Sequence, residues 1–560
     1  MIKKLVLLLS IVLFFSSCKN KSNADLILHH GIIYTVDSLF TIQQAIAVKD
    51  GKILAVGSND ELLNSFQSSN MVDLQGKSVY PGFIDAHCHF LGYGLGLQQV
   101  DLTGTKSFDE IISRVIEFAN KQQIIPSLDG KNKLKTNNES HNDWIIGRGW
   151  DQNDWESKEF PNNKTLDSLF PNVPVLLYRI DGHAALANTE ALKRAGITNT
   201  TTIIGGDLIK ENGVITGVLI DNSVYMVKNN LPKTTKEKLT KALLEAQANC
   251  LAMGLTTIDD AGLLKPDIDL IDELQKQHQL KIRMYVMLSD SAINYDYYLK
   301  QGPYKTDRLN IRSFKFYADG ALGSRGACLK HDYTDQQNWK GFLLSEQKHF
   351  EEKAILLANK GFQMNTHCIG DSAYHIILNA YKKAKINRNM RWRIEHAQVV
   401  SNEDISISDE IIPSVQPTHA TSDMYWAEER LGEERLKTAY AYKTLLNKCG
   451  VVALGTDFPV EDISPFKTFY AAVARKDNKG YPENGFQFDE ALSREQTLKG
   501  MTIWAAYSNF EEKEKGSLEK GKFADFIILD KDIMKCNINE VLNTKVLSTF
   551  INGERVYQAN

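Results

Sequence analysis

The sequence predicts an α/β protein: a (β/α)8 barrel of the TIM type, a small β-sandwich domain built from both chain ends, and an insertion between barrel strands one and two. Three observations predict this class. Short apolar segments alternate with helical-looking segments along the middle of the chain. Alternating apolar runs broken by glycine occupy both ends. One interval between successive apolar segments is far longer than a single crossover needs.

The first 18 residues predict an export signal. Lys3 and Lys4 precede an apolar run from Leu5 to Phe15, which is shorter than the roughly 20 residues that span a bilayer. Cys18 follows two serines and resembles a bacterial lipoprotein cleavage site. We expect residues 1–18 to be a lipoprotein signal peptide. The mature protein would then be exported and lipid-anchored through Cys18 to a bacterial membrane, on its periplasmic or cell-surface side; a plain signal peptide is the alternative.

Both ends of the remaining chain carry strand signals. Residues 24–80 contain ADLILHHGIIYTV, AIAVKDGKILAVGS and MVDLQGKSVYPG, with a hairpin signal at Asp50-Gly51. Residues 515–557 contain GKFADFIILDKD and VLSTFINGERVY, with a second hairpin signal at Asn552-Gly553. We predict that these two stretches form one composite β-sandwich domain.

The barrel is predicted over residues 81–514. Its eight strands are GFIDAHCH from Gly82, LTTIDDA from Leu255, IRMYVML from Ile282, IRSFKFYAD from Ile311, FQMNTHC from Phe362, WRIEHAQ from Trp392, IPSVQP from Ile412 and VVALGTD from Val451. Residues 102–235 separate the first two strands and include the polar stretch DGKNKLKTNNESHND. We therefore predict an inserted subdomain or lid over the barrel mouth.

Several predicted strands end on a residue type that binds metals. In such barrels, reacting groups lie at the carboxyl ends of the strands. One histidine in an apolar strand is usually a packed core residue, but a set at matching places predicts a site. The set comprises His87 and His89 on strand one, His367 on strand five, His396 on strand six and Asp457 on strand eight, with Lys315 within strand four.

Strand geometry separates the three neighbours in DAHCHF. Alternate side chains of a strand point to the same face, and adjacent ones point to opposite faces. His87 and His89 can therefore both point into the barrel, while Cys88 points toward the helical layer. The five further cysteines after Cys18 are scattered without a CxxC pair, and we predict mostly buried free thiols. The net charge of −4 argues against a nucleic-acid binder.

The motifs PGFIDAHCHF, FKFYADGALGSR, NTHCIGDSA, RIEHAQ, GTDFPVE and GSLEKGKFADFIILD resemble those of the amidohydrolase superfamily. The resemblance is strongest to its branch of YtcJ-like metal-dependent hydrolases and N-substituted formamide deformylases. It covers essentially the whole mature chain, including GRGWDQN at Gly147 and RIDGHAALAN at Arg179. It implies a metal-dependent hydrolase that cleaves non-peptide C–N bonds in small amide, N-formyl or cyclic amide substrates.

The resemblance also implies a metal centre with one or two divalent ions. The implied ligands are His87, His89, Lys315, His367, His396 and Asp457. In two-metal members, a lysine on strand four is carboxylated and bridges the ions, and Lys315 matches it. A one-metal site with Lys315 as an ammonium group is the alternative. Zinc suits imidazole and carboxylate ligands best, although iron, manganese or nickel would fit.

The expected mechanism is attack of a metal-activated water on a polarised carbonyl carbon. Asp457 would accept a proton from this water and deliver it to the leaving group. His183 resembles a position that faces the substrate, with a lid or supporting role as the alternative; Arg325 and Trp150 are weaker candidates. His419 is a possible substrate or supporting residue.

Two other functions remain open at this point. The same site could hydrolyse esters or lactones, or the chain could be a non-catalytic, lipid-anchored binder of small molecules. A homodimer is possible, because related barrels often dimerise.

Overall fold

A computed structural model of the protein describes residues 21–122, 124 and 144–559. The predicted signal peptide, Cys18 and the stretch DGKNKLKTNNESHND lie outside the described residues. In the part of the chain that the structure describes, no helix combines the length and the apolar character needed to cross a membrane.

Eight parallel strands form the barrel and follow one another in chain order around it. They are β1 (Phe83–Cys88), β2 (Leu255–Leu263), β3 (Arg283–Ser289), β4 (Leu309–Tyr317), β5 (Gln363–Cys368), β6 (Arg393–His396), β7 (Ile412–Val415) and β8 (Ala453–Leu454). Beyond β8, the Asp457 N–H donates to the His87 carbonyl at 2.7 Å. The Thr456 hydroxyl donates to the Asp85 carboxylate at 2.7 Å. These bonds join the last strand to the first, and the predicted fold class is confirmed.

The helices that surround the barrel bury an apolar stripe against the strands. The helix Asp371–Lys383, for example, buries Ala373, Ile377 and Leu378, a helical spacing. The longer helices are Lys236–Ala252, Lys265–Lys276, Ala292–Gln301, Gln347–Lys360, Asp371–Lys383, Ala427–Leu436, Tyr442–Cys449 and Pro465–Ala474. The shorter ones are Phe90–Gly96, Asn402–Ile405, Pro417–Asp423, Arg494–Gly500 and Ile503–Ser508.

Two further sheets are built from the chain ends. One contains Lys52–Gly57, Ala45–Lys49, Leu26–His29 and Met71–Asp73. The other contains Glu554–Gln558, Val546–Ile551, Phe526–Leu529, Ser78–Pro81, Ile32–Tyr34 and Ile42–Gln43. Ser78–Pro81 pairs antiparallel with Phe526–Leu529, so both ends of the chain meet in one sheet. Leu28, Val79 and Phe526 belong to one buried cluster between the sheets.

The chain between β1 and β2 forms a separate six-stranded sheet. Its strands, in spatial order, are Val100–Asp101, Ile145–Trp150, Val175–Arg179, Ala184–Ala187, Val214–Asp221 and Gly206–Glu211. Its helices are Phe108–Lys121, Lys164–Leu169, Thr189–Arg194 and Asn222–Lys228. The sheet begins two residues before the predicted start of the insertion at residue 102. We call this part of the chain the insertion.

The six cysteines of the described chain are free thiols. Four are buried, and Cys328 and Cys536 are partly exposed. Cys88 lies outside the barrel interior in the main hydrophobic core, where its thiol donates to the Asp259 carbonyl at 3.4 Å. It therefore faces away from His87, as strand alternation predicts.

Candidate metal centre

The six predicted ligands come together at the carboxyl ends of the barrel strands. They lie at the base of a cavity of about 810 Å³ between the barrel and the insertion. The residues of the set that line this cavity are His89, His367, His396 and Asp457. Buried beneath them are His87 and Lys315.

Asp457 is the centre of this cluster. Its Oδ1 lies 3.3 Å from His89 Nε2 and 3.7 Å from His87 Nε2, and its Oδ2 lies 4.0 Å from His396 Nδ1. Its Oδ1 is buried and has no hydrogen-bond donor in the described chain. A buried carboxylate oxygen without a partner is costly. His87, His396 and Asp457 each offer a donor atom, and these atoms lie within 4.8 Å of one another. The donor set therefore fits a divalent cation.

His87 is oriented by a buried chain of charged groups. Its Nδ1 donates to Glu395 Oε2 at 2.5 Å, which leaves Nε2 facing Asp457 and Lys315. Arg393 Nε donates to Glu395 Oε1 at 2.7 Å, and Arg393 Nη1 donates to Asp259 at 2.9 Å. Burial alone would raise the pKa of Glu395, but Arg393 and His87 hold it well below its usual range. Carboxylates in this position commonly fix the ring of a metal-binding histidine.

Two further histidines at the ends of barrel strands, His367 and His396, lie next to one another. The rings of His367 and His396 are 4.6 Å apart, and those of His396 and His87 are 4.7 Å apart. His396 Nδ1 lies 2.7 Å from the side-chain oxygen of Gln416, which holds the ring in place. His367 Nε2 lies 3.4 Å from the Gly320 carbonyl and 3.6 Å from Asp319 Oδ1.

Lys315 lies in the barrel interior below these histidines. Its Nζ is 3.1 Å from His87 Nε2 and 4.7 Å from the centre of the Tyr317 ring. Burial lowers the pKa of Lys315 to about 8, because a desolvated ammonium is disfavoured. A larger fraction of this amine is therefore neutral at physiological pH than for an exposed lysine.

A family model for the amidohydrolase family matches residues 70–557. The chain belongs to the amidohydrolase family. It is 31% identical over 545 residues to YtcJ of Bacillus subtilis, named as an amidohydrolase, covering 95% of this chain and 99% of that protein. It is 25% identical over 562 residues to an N-substituted formamide deformylase of Arthrobacter pascens, covering 95% of this chain and 98% of that enzyme.

A solved structure shares the whole architecture of this amidohydrolase. An uncharacterized metal-dependent hydrolase of Pyrococcus furiosus is 27% identical, with a TM-score of 0.70, covering 91% of this chain and 100% of that chain. The protein is therefore a metal-dependent hydrolase of the amidohydrolase superfamily.

The insertion of this amidohydrolase supplies the opposite wall of the cavity. His183 lines the cavity, and its ring lies 4.9 Å from that of His367. Its Nδ1 lies 2.6 Å from Asp221 Oδ1. Burial disfavours the charged imidazole, but the hydrogen bond to Asp221 and the negative charges of Asp221, Asp181 and Asp319 together outweigh it, and the pKa of His183 lies above its ordinary value. The structure thus places His183 beside the cluster, with Nε2 on the side of the ring away from Asp221.

Asp221 is held at the contact between insertion and barrel. It adopts a left-handed backbone conformation with φ 51°, and its Oδ2 is buried without a hydrogen-bond partner among the described residues. A Cβ at Gly320 or Gly326 would come within 2.2 or 2.3 Å of this oxygen. The loop after β4 therefore needs glycine at both positions so that Asp221 can reach His183.

Other residues of the cavity were not predicted or were only weakly indicated. His419 Nε2 is buried without a partner among the described residues and lies 3.7 Å from Asp457 Oδ2. His419 follows the carboxyl end of β7, and this position is what made it a candidate in the sequence. Arg148 also lines the cavity, on an insertion strand; it belongs to the motif GRGWDQN, within which the sequence did not single it out.

Trp150 and Arg325 do not line the cavity. Trp150 is fully buried in the insertion, where its indole N–H donates to the Leu177 carbonyl at 2.8 Å. Arg325 pairs with Asp335 at 2.9 Å. Both side chains therefore make contacts away from the cavity, and neither is a candidate for contact with the substrate.

Proposed function

We propose that this amidohydrolase cleaves non-peptide C–N bonds in small amide, N-formyl or cyclic amide substrates. The observation that carries the proposal is Asp457 Oδ1, which is buried in the histidine cluster without a hydrogen-bond partner among the described residues, at the base of a cavity large enough for a small molecule. The similarity to an N-substituted formamide deformylase along 95% of the chain supports the choice of bond.

Zinc is the metal that these residues favour. Imidazole nitrogens and one carboxylate with open positions suit a catalytic zinc site. His87, His89, His367, His396, Asp457 and a carboxylated Lys315 would hold two ions. When bound, zinc polarises a carbonyl oxygen and lowers the pKa of water. The burial of Lys315 supports its carboxylation, because a neutral amine reacts with carbon dioxide, and its 3.1 Å contact with His87 places it within the ligand set.

The chain's own groups would then move the proton and stabilise charge. Asp457 takes a proton from the attacking water and passes it to the leaving nitrogen, since its Oδ1 faces the cluster and accepts no hydrogen bond from the part of the chain that the structure describes. His183 faces the developing negative charge on the carbonyl oxygen from the insertion side. The Glu395–Arg393 pair keeps His87 in its orientation.

The test is a hydrolysis screen of N-formyl, N-acyl and cyclic amides, with lactones and esters of similar shape beside them. We expect turnover of one amide class that disappears after chelation and returns with zinc. Preferential turnover of lactones or esters would contradict the proposal and indicate an esterase or lactonase instead. Tight binding of these compounds without turnover by fully metal-loaded protein would favour a binding protein.

We also propose export and lipid anchoring through Cys18, which the sequence of residues 1–18 supports. Membrane fractionation in a bacterial host that processes lipoproteins tests this. The wild-type protein should sediment with membranes, and Cys18→Ser should not.

A further inference from the structure

Three metal-ligand side chains also lie together on the surface of the β-sandwich. His29 Nδ1 and His30 Nδ1 are 3.0 Å apart, and His30 Nδ1 is 3.3 Å from Asp73 Oδ1. The donor atoms of all three residues lie within 4.8 Å of one another. None of the three lines the barrel cavity. We call this group the surface cluster.

The backbone builds this cluster in an unusual way. Adjacent residues of a strand point to opposite faces, so His29 and His30 would normally lie apart. The strand Leu26–His29 ends at His29, and His30 adopts a left-handed conformation with φ 56°. This turn brings the two rings to 4.6 Å between centres. A left-handed non-glycine residue costs about 1 kcal/mol or more, and such positions are often found at functional sites.

Sheet pairing and backbone hydrogen bonds hold the cluster in place. The parallel pairing of Leu26–His29 with Met71–Asp73 puts His29 directly opposite Asp73. The His30 N–H donates to Asn59 Oδ1 at 2.8 Å, and the Gly76 N–H donates to the His30 carbonyl at 2.7 Å. The three donor groups are therefore set by the sheet and the following turn, not by long mobile side chains.

Two neighbours compete for the one bonding direction of His30 Nδ1, and Asp73 Oδ1 also accepts from the Gln75 N–H at 3.0 Å. An imidazole nitrogen has one in-plane bonding direction, taken by either a proton or a lone pair. His30 Nδ1 nevertheless approaches both His29 Nδ1 and Asp73 Oδ1. A single cation would satisfy all three atoms. Bonds of about 2.0–2.1 Å to a tetrahedral zinc ion place ligand atoms about 3.3 Å apart. The separations of 3.0 Å between His29 and His30 and 3.3 Å between His30 and Asp73 match this spacing within a few tenths of an ångström, and His29 and Asp73 lie within 4.8 Å of each other.

We propose that His29, His30 and Asp73 form an accessory site for zinc or a similar first-row divalent ion, separate from the hydrolytic centre. The side chains of His30 and Asp73 are 52% and 49% exposed, so the ion keeps a position open to water or to an outside ligand. Ligand exposure would also make the bound ion exchangeable, whereas most ligands of the barrel site are buried.

The test is a zinc titration of the full-length mature protein without a histidine tag, after its catalytic site has been loaded with metal. Isothermal titration calorimetry should detect one further equivalent of zinc in the wild type. This equivalent should be absent in His30→Asn and in Asp73→Asn, with hydrolytic turnover unchanged. Asparagine is chosen at position 30 because it tolerates the left-handed conformation.

His278→Asn is the matched control. His278 is also exposed and also has a positive φ, of 59°. This variant should keep the further equivalent. Equal zinc uptake by the wild type, His30→Asn and Asp73→Asn would overturn the proposal, and so would a wild type that takes up no zinc beyond its catalytic ions. Neither outcome depends on which substrate the barrel hydrolyses.

Discussion

The two walls of the cavity hold their histidines in different ways. On the barrel wall, His87 is fixed by Glu395, which is itself paired with Arg393 inside the closed ring of strands. On the insertion wall, His183 is fixed by Asp221, whose carboxylate rests against glycines of a barrel loop. The barrel wall is therefore supported by contacts within the barrel, whereas the insertion wall depends on docking between two parts of the chain. We therefore expect metal affinity to depend on the barrel wall alone, and substrate turnover to depend on both walls.

The largest loss of activity is expected from a substitution of Asp457, at the centre of the barrel wall. Asp457→Asn should keep much of the metal but lower kcat by about 10²–10⁴-fold, because an amide cannot accept the proton from water. Steady-state kinetics beside metal analysis of the purified variant measure both quantities. Near wild-type turnover would remove Asp457 from the mechanism.

Glu395→Gln should weaken the barrel wall itself. Loss of this carboxylate leaves His87 less firmly oriented, and metal affinity should fall about ten- to a hundredfold. Arg393 also loses a buried anion, so the free energy of unfolding should drop by about 3–5 kcal/mol. Metal competition with a chelator and urea unfolding measure the two effects. Exposed Glu403→Gln is the control, and wild-type metal affinity in Glu395→Gln would contradict the assigned role.

Asp221→Asn should affect the insertion wall alone. A hydrogen bond to a charged group contributes about 1.5–3 kcal/mol, so kcat should fall roughly ten- to a hundredfold while metal content stays at the wild-type level. His183→Ala should give a similar loss. Asp207→Asn, in the same sheet, is the control, because its carboxylate accepts from the Leu208 N–H. A lower metal content in Asp221→Asn would show that the two walls are not independent.

Cys88→Ser is expected to have the smallest effect. The thiol faces the core and donates to the Asp259 carbonyl, a bond that a hydroxyl can replace. Metal content and kcat/KM should remain within about twofold of the wild type, since effects away from the site are small. A folded Cys88→Ser protein that has lost its metal would show that the alternation argument fails at this strand.

The sequence was sufficient to predict the metal-site residues of the barrel wall, because most of them recur at the ends of regular strands. Even there, β1 ends at Cys88 and His89 lies one residue beyond it, yet His89 still reaches Asp457. Glu395 was missed although a signal existed: Arg393 and Glu395 are two residues apart, and therefore on one face of an apolar strand. Asp259 contributes one step further away, through its contact with Arg393.

What the sequence determined by itself is the fold class, the eight barrel strands and the joining of both chain ends in one β domain, because periodicity and turn residues are local signals. Only the tertiary structure decided that Asp221 meets His183 and that His29, His30 and Asp73 converge. These contacts depend on sheet order, on register and on single left-handed residues. Such features are fixed by packing between distant segments, and no local pattern of residues specifies them.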